Sequence, residues 1–249
     1  MNDPLILAIE TATRAGGVAI AKGRDVLSSR VGDATVSHSA NLIELIDQAL
    51  HDAGAKLSDI NLFAAAVGPG SFTGLRIGLA TVKALANCTG RRVSGVSTLA
   101  AIAQASGIAG EVVSLLPAGR GEVFAQRFAT EQGSLEAIDN AAHLSPGALL
   151  ERYGNLEPVT WAGEGAGQQL ELLTTWAKDK GFTLFDSGQN DSEWTIITET
   201  NNLANAVAAL ALKEDEAGRS LSAEELHAVY VRASDAEINE RWQQEKAEA

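Results

Sequence analysis

Short apolar runs and helical stripes follow one another along the chain in an order that predicts an α/β fold. Leu5–Ile9, Gly17–Ala21 and Asp25–Val31 are β-rich or alternating stretches divided by turn-like residues, and they read as a three-stranded meander. A helix is predicted next. Ser37 or Ser39 is its expected N-cap, Leu42, Ile43, Leu45, Ile46, Ala49, Leu50 and Ala53 form its broad apolar stripe, and Gly54 ends it. Ile60–Val67 is apolar apart from Asn61, the pattern of a strand covered on both faces. The glycine-rich stretch from Gly68 to Gly78 then feeds a helix, Leu75–Ala86, in which only Arg76, Thr81 and Lys83 are polar, and a strand is expected at Arg92–Val96.

The same order recurs. Glu111–Leu116, Glu122–Phe128 and Leu135–Ile138 are predicted strands, and Ser145–Tyr153 is a predicted helix with Pro146 at its first position. Pro158–Ala162 follows as a strand, and Gly167–Lys180 and Asn202–Glu216 as helices ended by Gly181 and Gly218. Three strands, helix, strand, helix is thus written twice, which predicts two lobes, each a mixed sheet with flanking helices. The expected boundaries are 1–105 for the first lobe, 106–221 for the second and 222–249 for a C-terminal segment. That segment holds two S-x-x-E boxes, Ser222–Glu225 and Ser234–Glu237, around a short extended piece, His227–Val231, and is expected to dock as a helix on the first lobe.

A helix on the surface of a monomer shows a wide polar face, and Leu75–Ala86 does not. It is therefore expected to be covered on nearly every side. The Gly74-x-x-x-Gly78 step would admit a second helix, and the helix carrying Leu42 and Ile46 is the candidate to share a subunit contact with it. On that reading Leu79→Glu or Ile46→Glu weakens assembly and spares the fold.

Composition narrows the chemistry. With 19 Lys and Arg against 32 Asp and Glu, the net charge of −13 argues against a surface that neutralises nucleic-acid phosphates unaided. Cys88 is the single cysteine, which excludes an internal disulfide and a multi-cysteine zinc site. His38, His51, His143 and His227 show no metal-ligand spacing, and neither a phosphate-binding P-loop nor a G-x-S-x-G elbow is present. The start of the chain lacks a basic region ahead of its short apolar run, and no apolar stretch reaches membrane-spanning length, so a reducing, cytoplasmic setting is expected.

One constellation could carry chemistry. Glu10 and Thr11 end the first strand, and Gly70 and Ser71 open the glycine loop, an arrangement in which an acid and hydroxyls stand beside a nucleotide phosphate in sugar-kinase and actin-like folds. The plainer alternative is an acidic turn that caps locally and glycines that allow a tight helix entry. Gly163–Gly167 is a second glycine-rich turn that could hold a ligand. Trp161, Trp176, Trp194 and Trp242 are expected to be packing residues, since they are not interleaved with basic side chains.

Taken together, Leu7–Thr13, Ser37–Leu42, Gly68–Gly78 and Gly95–Leu99 closely resemble the TsaB (YeaZ) family, and the resemblance continues collinearly through the rest of the chain. It implies an actin-like, sugar-kinase-like (ASKHA) fold of duplicated ribonuclease-H-like lobes. It also implies a non-catalytic scaffold that binds a TsaD-type catalytic subunit, with a TsaE-type ATPase, for N6-threonylcarbamoyladenosine formation in tRNA. Alone, such a chain would form a homodimer through the same face. It would meet tRNA only indirectly and bind no cofactor by itself, ATP or ADP being left to the assembled complex. The implied docking residues are Ser39, Leu42, Ile43, Ile46 and Leu50 on the first helix and Leu75, Arg76, Gly78, Leu79, Val82 and Lys83 on the second. Where TsaD has V-N-H-x-x-G-H, this chain has Val96–Ile102, so Thr98 and Ile102 stand at the two metal-ligand positions and isoleucine cannot coordinate a cation. Two stretches depart from the family pattern: Pro117–Arg120, where Asp-Ala-Arg is usual, and Ala228–Arg232, where Pro-x-Tyr-Leu-Arg is usual. The competing reading is an enzyme, either a small-molecule kinase or ATPase using Glu10, Thr11 and the glycine loop, or a metalloprotease.

Overall fold

Strand β1 (Leu5–Glu10) is buried from Ile6 onward, and it takes the centre of a five-stranded sheet. The computed structural model describes residues 3–131, 133–186, 194–200 and 202–231. On one side of β1 lies β2 (Gly17–Lys22), antiparallel, followed by β3 (Asp25–Val31). On the other side β4 (Leu62–Gly68) and β5 (Arg92–Ser97) run parallel to it, giving the order β3-β2-β1-β4-β5. All seven residues of β4 are buried, as its unbroken apolar run requires of a strand with both faces covered. Helices α1 (His38–Asp52) and α2 (Phe72–Thr89) cover one face, with Leu42, Ile46, Ala49, Leu79, Val82 and Ala86 packed on Leu7, Ile9, Val18, Ile20 and Phe63.

The second half repeats this plan. Its strands are β6 (Gly110–Gly119), β7 (Glu122–Glu131), β8 (Ser134–Ala137), β9 (Ala142–Leu144), β10 (Val159–Ala162), β11 (Leu184–Asp186) and β12 (Trp194–Ile197). Their order β8-β7-β6-β10-β12 reproduces that of the first sheet, with β11 added at the edge and β9 paired to β7. Helices α4 (Pro146–Tyr153), α5 (Glu164–Gln168) and α6 (Leu170–Lys180) belong to this half, and Ser145 caps α4 as its sequence predicts.

Two helices cross between the sheets. The helix α3 (Thr98–Ser106), absent from the pattern reading, places Leu99, Ile102 and Ala103 on Val112, Leu116, Phe124 and Phe128 of the second sheet. Its counterpart α7 (Leu203–Glu216) packs Ala204, Val207, Ala208 and Ala211 against Ile6, Ala8, Ala19 and Ala64 of the first. By sequence α7 lies within the expected 106–221 lobe, but it shares its core with the first sheet. Both helices are apolar on most sides and rich in alanine, so each can be covered by a sheet and by the other helix at once. Lys213 of α7 ties the layers together, donating to the Gly133 carbonyl (2.6 Å) and to Gln104 of α3 (3.2 Å).

Other differences have local causes. The predicted Gly167–Lys180 helix is two helices, broken at Gln169, whose side-chain amide donates to the Gly121 carbonyl (2.7 Å). The Ser222–Glu225 box forms a turn in which the Glu225 carboxylate accepts from the Ser222 N–H and hydroxyl (2.9 and 2.8 Å). From there Ala223 and Leu226 enter the first core, and the Val229 N–H donates to the Val67 carbonyl (2.7 Å). Ser234–Glu237, Trp242 and all of 232–249 lie outside the described residues.

Candidate functional site

The glycine loop exists because α2 crosses the exit of β1. The Thr11 hydroxyl donates to the Gly74 carbonyl (2.8 Å), and the Ser71 N–H donates to the Ala12 carbonyl (2.8 Å). A Cβ at Gly74 would overlap the Thr11 carbonyl oxygen, and one at Gly78 would overlap the Thr11 hydroxyl. The small step therefore admits the β1 exit turn, not a second helix as the spacing suggests. Ser71 is the N-cap of α2, its hydroxyl accepting from the Gly74 N–H (3.2 Å).

Glu10, Thr11, Gly70 and Ser71 are thus brought together, but Glu10 faces inward. One carboxylate oxygen accepts from the Thr13 N–H (2.8 Å) and the other from the Thr13 hydroxyl (2.5 Å), with Glu10 2% exposed. Burial raises its pKa above the ordinary value, against the lowering effect of the Thr13 hydrogen bonds. The Nε2 of His38 lies 3.0 Å from the Thr13 carbonyl oxygen, so the turn is also held to the start of α1. A carboxylate with both oxygens engaged in its own turn clamps that turn and is poorly placed to orient a metal-bound water. Beside the turn lies a cleft of about 700 Å³ lined by Arg14, His38, Gly70 and Thr73 from the first half, Ala118 and Glu164 from the second, and Tyr230.

Most of the implied docking residues belong to the core. Leu42, Ile46, Leu50, Leu75, Gly78, Leu79 and Val82 are all buried within the chain's own fold. The expectation that a second polypeptide must shield these side chains is corrected: α1 and α2 cover β1, β2 and β4 with them. Ile46→Glu or Leu79→Glu would therefore attack the fold itself. What reaches the surface is Ser39, Ile43 and Arg76, with Lys83 half-buried, and on α2 the short side chains Ala80, Ala84, Asn87 and Cys88. That outward face of α2 carries no acid.

Thr98 opens α3 and Ile102 lies one turn further on, at 0% and 1% exposure; the Thr98 hydroxyl has no hydrogen-bond partner among the described residues, and Ile102 packs in the apolar cluster of Leu99 and Phe124. Among the described residues no three His, Cys, Asp or Glu side chains gather as a metal site would require. No helix among them is long and apolar enough to cross a membrane. Sequence reasoning missed a stack at the mouth of the cleft, where the Arg76 guanidinium lies 3.8 Å above the Phe72 ring and Tyr230 meets that ring from the C-terminal segment at 5.3 Å. The spacing of Phe72 and Arg76, one helical turn apart, was the available signal; nothing local announced Tyr230.

Comparison with known proteins agrees with this architecture. The model of a family described as TsaD, tRNA N6-adenosine threonylcarbamoyltransferase, matches residues 32–245. The tRNA threonylcarbamoyladenosine biosynthesis protein TsaB of Escherichia coli strain K12 is 33% identical over 185 residues, covering 73% of this chain and 78% of that protein. The chain belongs to the TsaB (YeaZ) family. Two solved TsaB-like structures from Pseudomonas aeruginosa share its fold at 26% identity. One, described as an uncharacterized protein with similarity to peptidase YeaZ, aligns with a TM-score of 0.74 over 92% of this chain and 100% of its own length. The other, described as YeaZ, aligns with a TM-score of 0.70 over 91% and 99%. The TsaB architecture here is the actin-like, sugar-kinase-like one, with its sheet written twice in the same strand order.

Proposed function

We propose that the chain is a non-catalytic subunit in tRNA threonylcarbamoyladenosine biosynthesis, docking through the outward face of α1 and α2 on a TsaD-type catalytic subunit. A TsaE-type ATPase would join that pair, and self-association would use the same face in the partner's absence. The observation that carries the reading is the character of the face. Ile43 is 66% exposed, more than any other large apolar side chain among the described residues, and the neighbouring helix presents Ala80 and Ala84, one turn apart, as a flat, small-residue surface. Arg76 and Lys83 on α2 are opposite in sign to the exposed Glu44 and Asp47 on α1, so two such helix pairs related by a two-fold axis offer complementary charge.

The interior supports a scaffold rather than an enzyme. Glu10 is committed to Thr13, and an isoleucine occupies the second family ligand position. With a net charge of −13, contact with tRNA is left to the partner, ATP or ADP to the assembled complex, and the cytoplasm is the fitting compartment for work on tRNA. Co-purification of the chain with the TsaD-type subunit of its own organism, followed by a tRNA modification assay with and without the chain, tests the proposal. Ile43→Glu and Ala80→Glu are expected to abolish both association and modification while shifting stability by no more than about 0.5 kcal/mol. Unchanged association in both variants refutes it.

A further inference from the structure

The described part of the segment that follows α7, residues 217–231, crosses the first half and reaches the start of α2. Leu221 pairs with Val93 at the free edge of β5, Leu226 sits in the core, and the Val229 N–H is bonded to the Val67 carbonyl. These anchors place the Tyr230 ring against Phe72, 5.3 Å between centroids and tilted by 38°. Phe72 in turn carries the Arg76 guanidinium on its face at 3.8 Å. Arg76 has no carboxylate partner among the described residues, in a chain that has 13 more negative than positive charges. An arginine held over a ring, with no carboxylate on its N–H fork among the described residues, has part of its rotamer freedom restricted before any ligand arrives.

We propose that Tyr230 and Phe72 form a positioning stack that holds Arg76 ready for a carboxylate of the docking partner, which makes the stretch around Tyr230 part of the docking surface. This rests on the docking reading given above and adds to it the chemistry of the group received: an acidic side chain on the TsaD-type subunit, taken by two parallel N–H donors. Charge complementarity favours that occupant, because α2 bears Arg76 and Lys83 and no Asp or Glu. Tyr230 is 49% exposed and outside the helices, so it can be changed with little cost to the core.

The affinity of the chain for the purified TsaD-type subunit, measured by calorimetry, tests the proposal through a double-mutant cycle. Arg76→Ala is expected to weaken binding about thirtyfold and Tyr230→Ala about tenfold. Tyr230→Phe, which keeps the ring, restores the affinity, whereas Arg76→Lys, which keeps the charge and loses the fork, does not. In the Arg76→Ala background Tyr230→Ala should cost less than about twofold, since the stack then has nothing to position. Additive losses, or wild-type binding by Tyr230→Ala, would overturn the inference while Ile43→Glu still abolishes binding. If the wild-type chain does not bind the subunit at all, the docking reading falls, and this inference with it.

Discussion

The two halves solve one problem alike and then part. The loop after β4 passes over β1 and the loop after β10 passes over β6, because each pair of strands are neighbours in the sheet. Gly74 and Gly78 let α2 lie on Thr11, and Gly163 and Gly165 let α5 lie on Leu115, where a Cβ at Gly165 would stand 2.7 Å from the Leu115 carbonyl carbon. Beyond that crossing, α2 continues to a length of 18 residues and turns Ala80 and Ala84 outward. The second half instead breaks after the five residues of α5, and α6 exposes Glu171, Thr174, Thr175, Lys178 and Asp179. Glycine spacing thus records a requirement internal to the fold and repeated in both halves. The outward residues differ: small side chains without acids on α2, mostly charged and hydroxyl side chains on α6.

The strongest test of the shared requirement is Gly74→Ala. The added methyl has backbone beneath it, so a loss of about 3 kcal/mol is expected, read as a lowered denaturant midpoint with unchanged slope; Gly165→Ala should behave alike. A tolerated Gly74→Ala would remove the common cause claimed for the two loops. The contrast between outward faces is tested by charge. Ile46→Glu, on the buried side of α1, should cost about 3 kcal/mol, whereas Thr175→Glu on α6 should leave both stability and association with the TsaD-type subunit within error.

The smallest effect concerns the exit of β1, where the buried Glu10 has no acidic counterpart at the exit of β6, which closes on Pro117, Ala118 and Gly119. Burial raises the pKa of Glu10, so the folded state holds its proton more tightly than the unfolded chain does. Its contribution to stability is therefore fully present below the ordinary carboxylate value near 4.5 and is lost as pH rises through the higher folded value. Glu10→Gln should flatten the pH dependence of the melting temperature in that window. An unchanged profile in the variant would show that Glu10 contributes nothing to it.

Much of the architecture was legible because its causes are local. Gly17–Ala21 is apolar and forms β2, Leu62–Val67 is apolar throughout and lies in a fully buried strand, and Ser145-Pro146 starts α4 where a cap and a first-turn proline should. The helix α3 was missed because Thr98–Ser106 is short and apolar almost all round, a pattern shared with a buried strand. At the candidate site, the residue types in the glycine loop pointed to the right corner of the molecule. Their roles depended on what lay opposite, and a sequence does not say that the neighbour of Gly74 is Thr11.

By itself the sequence determined the duplicated α/β plan, the family and the net charge of −13, since periodicity, motif spacing and charge are properties of the chain alone. Only the tertiary structure decided which apolar residues of α1 and α2 are core and which are surface. A helix stripe has the same pattern whether a sheet or another protein covers it, and the difference lies in contacts between residues far apart in the chain. The same is true of Arg76, whose setting depends on Tyr230 arriving from the far end of the described chain.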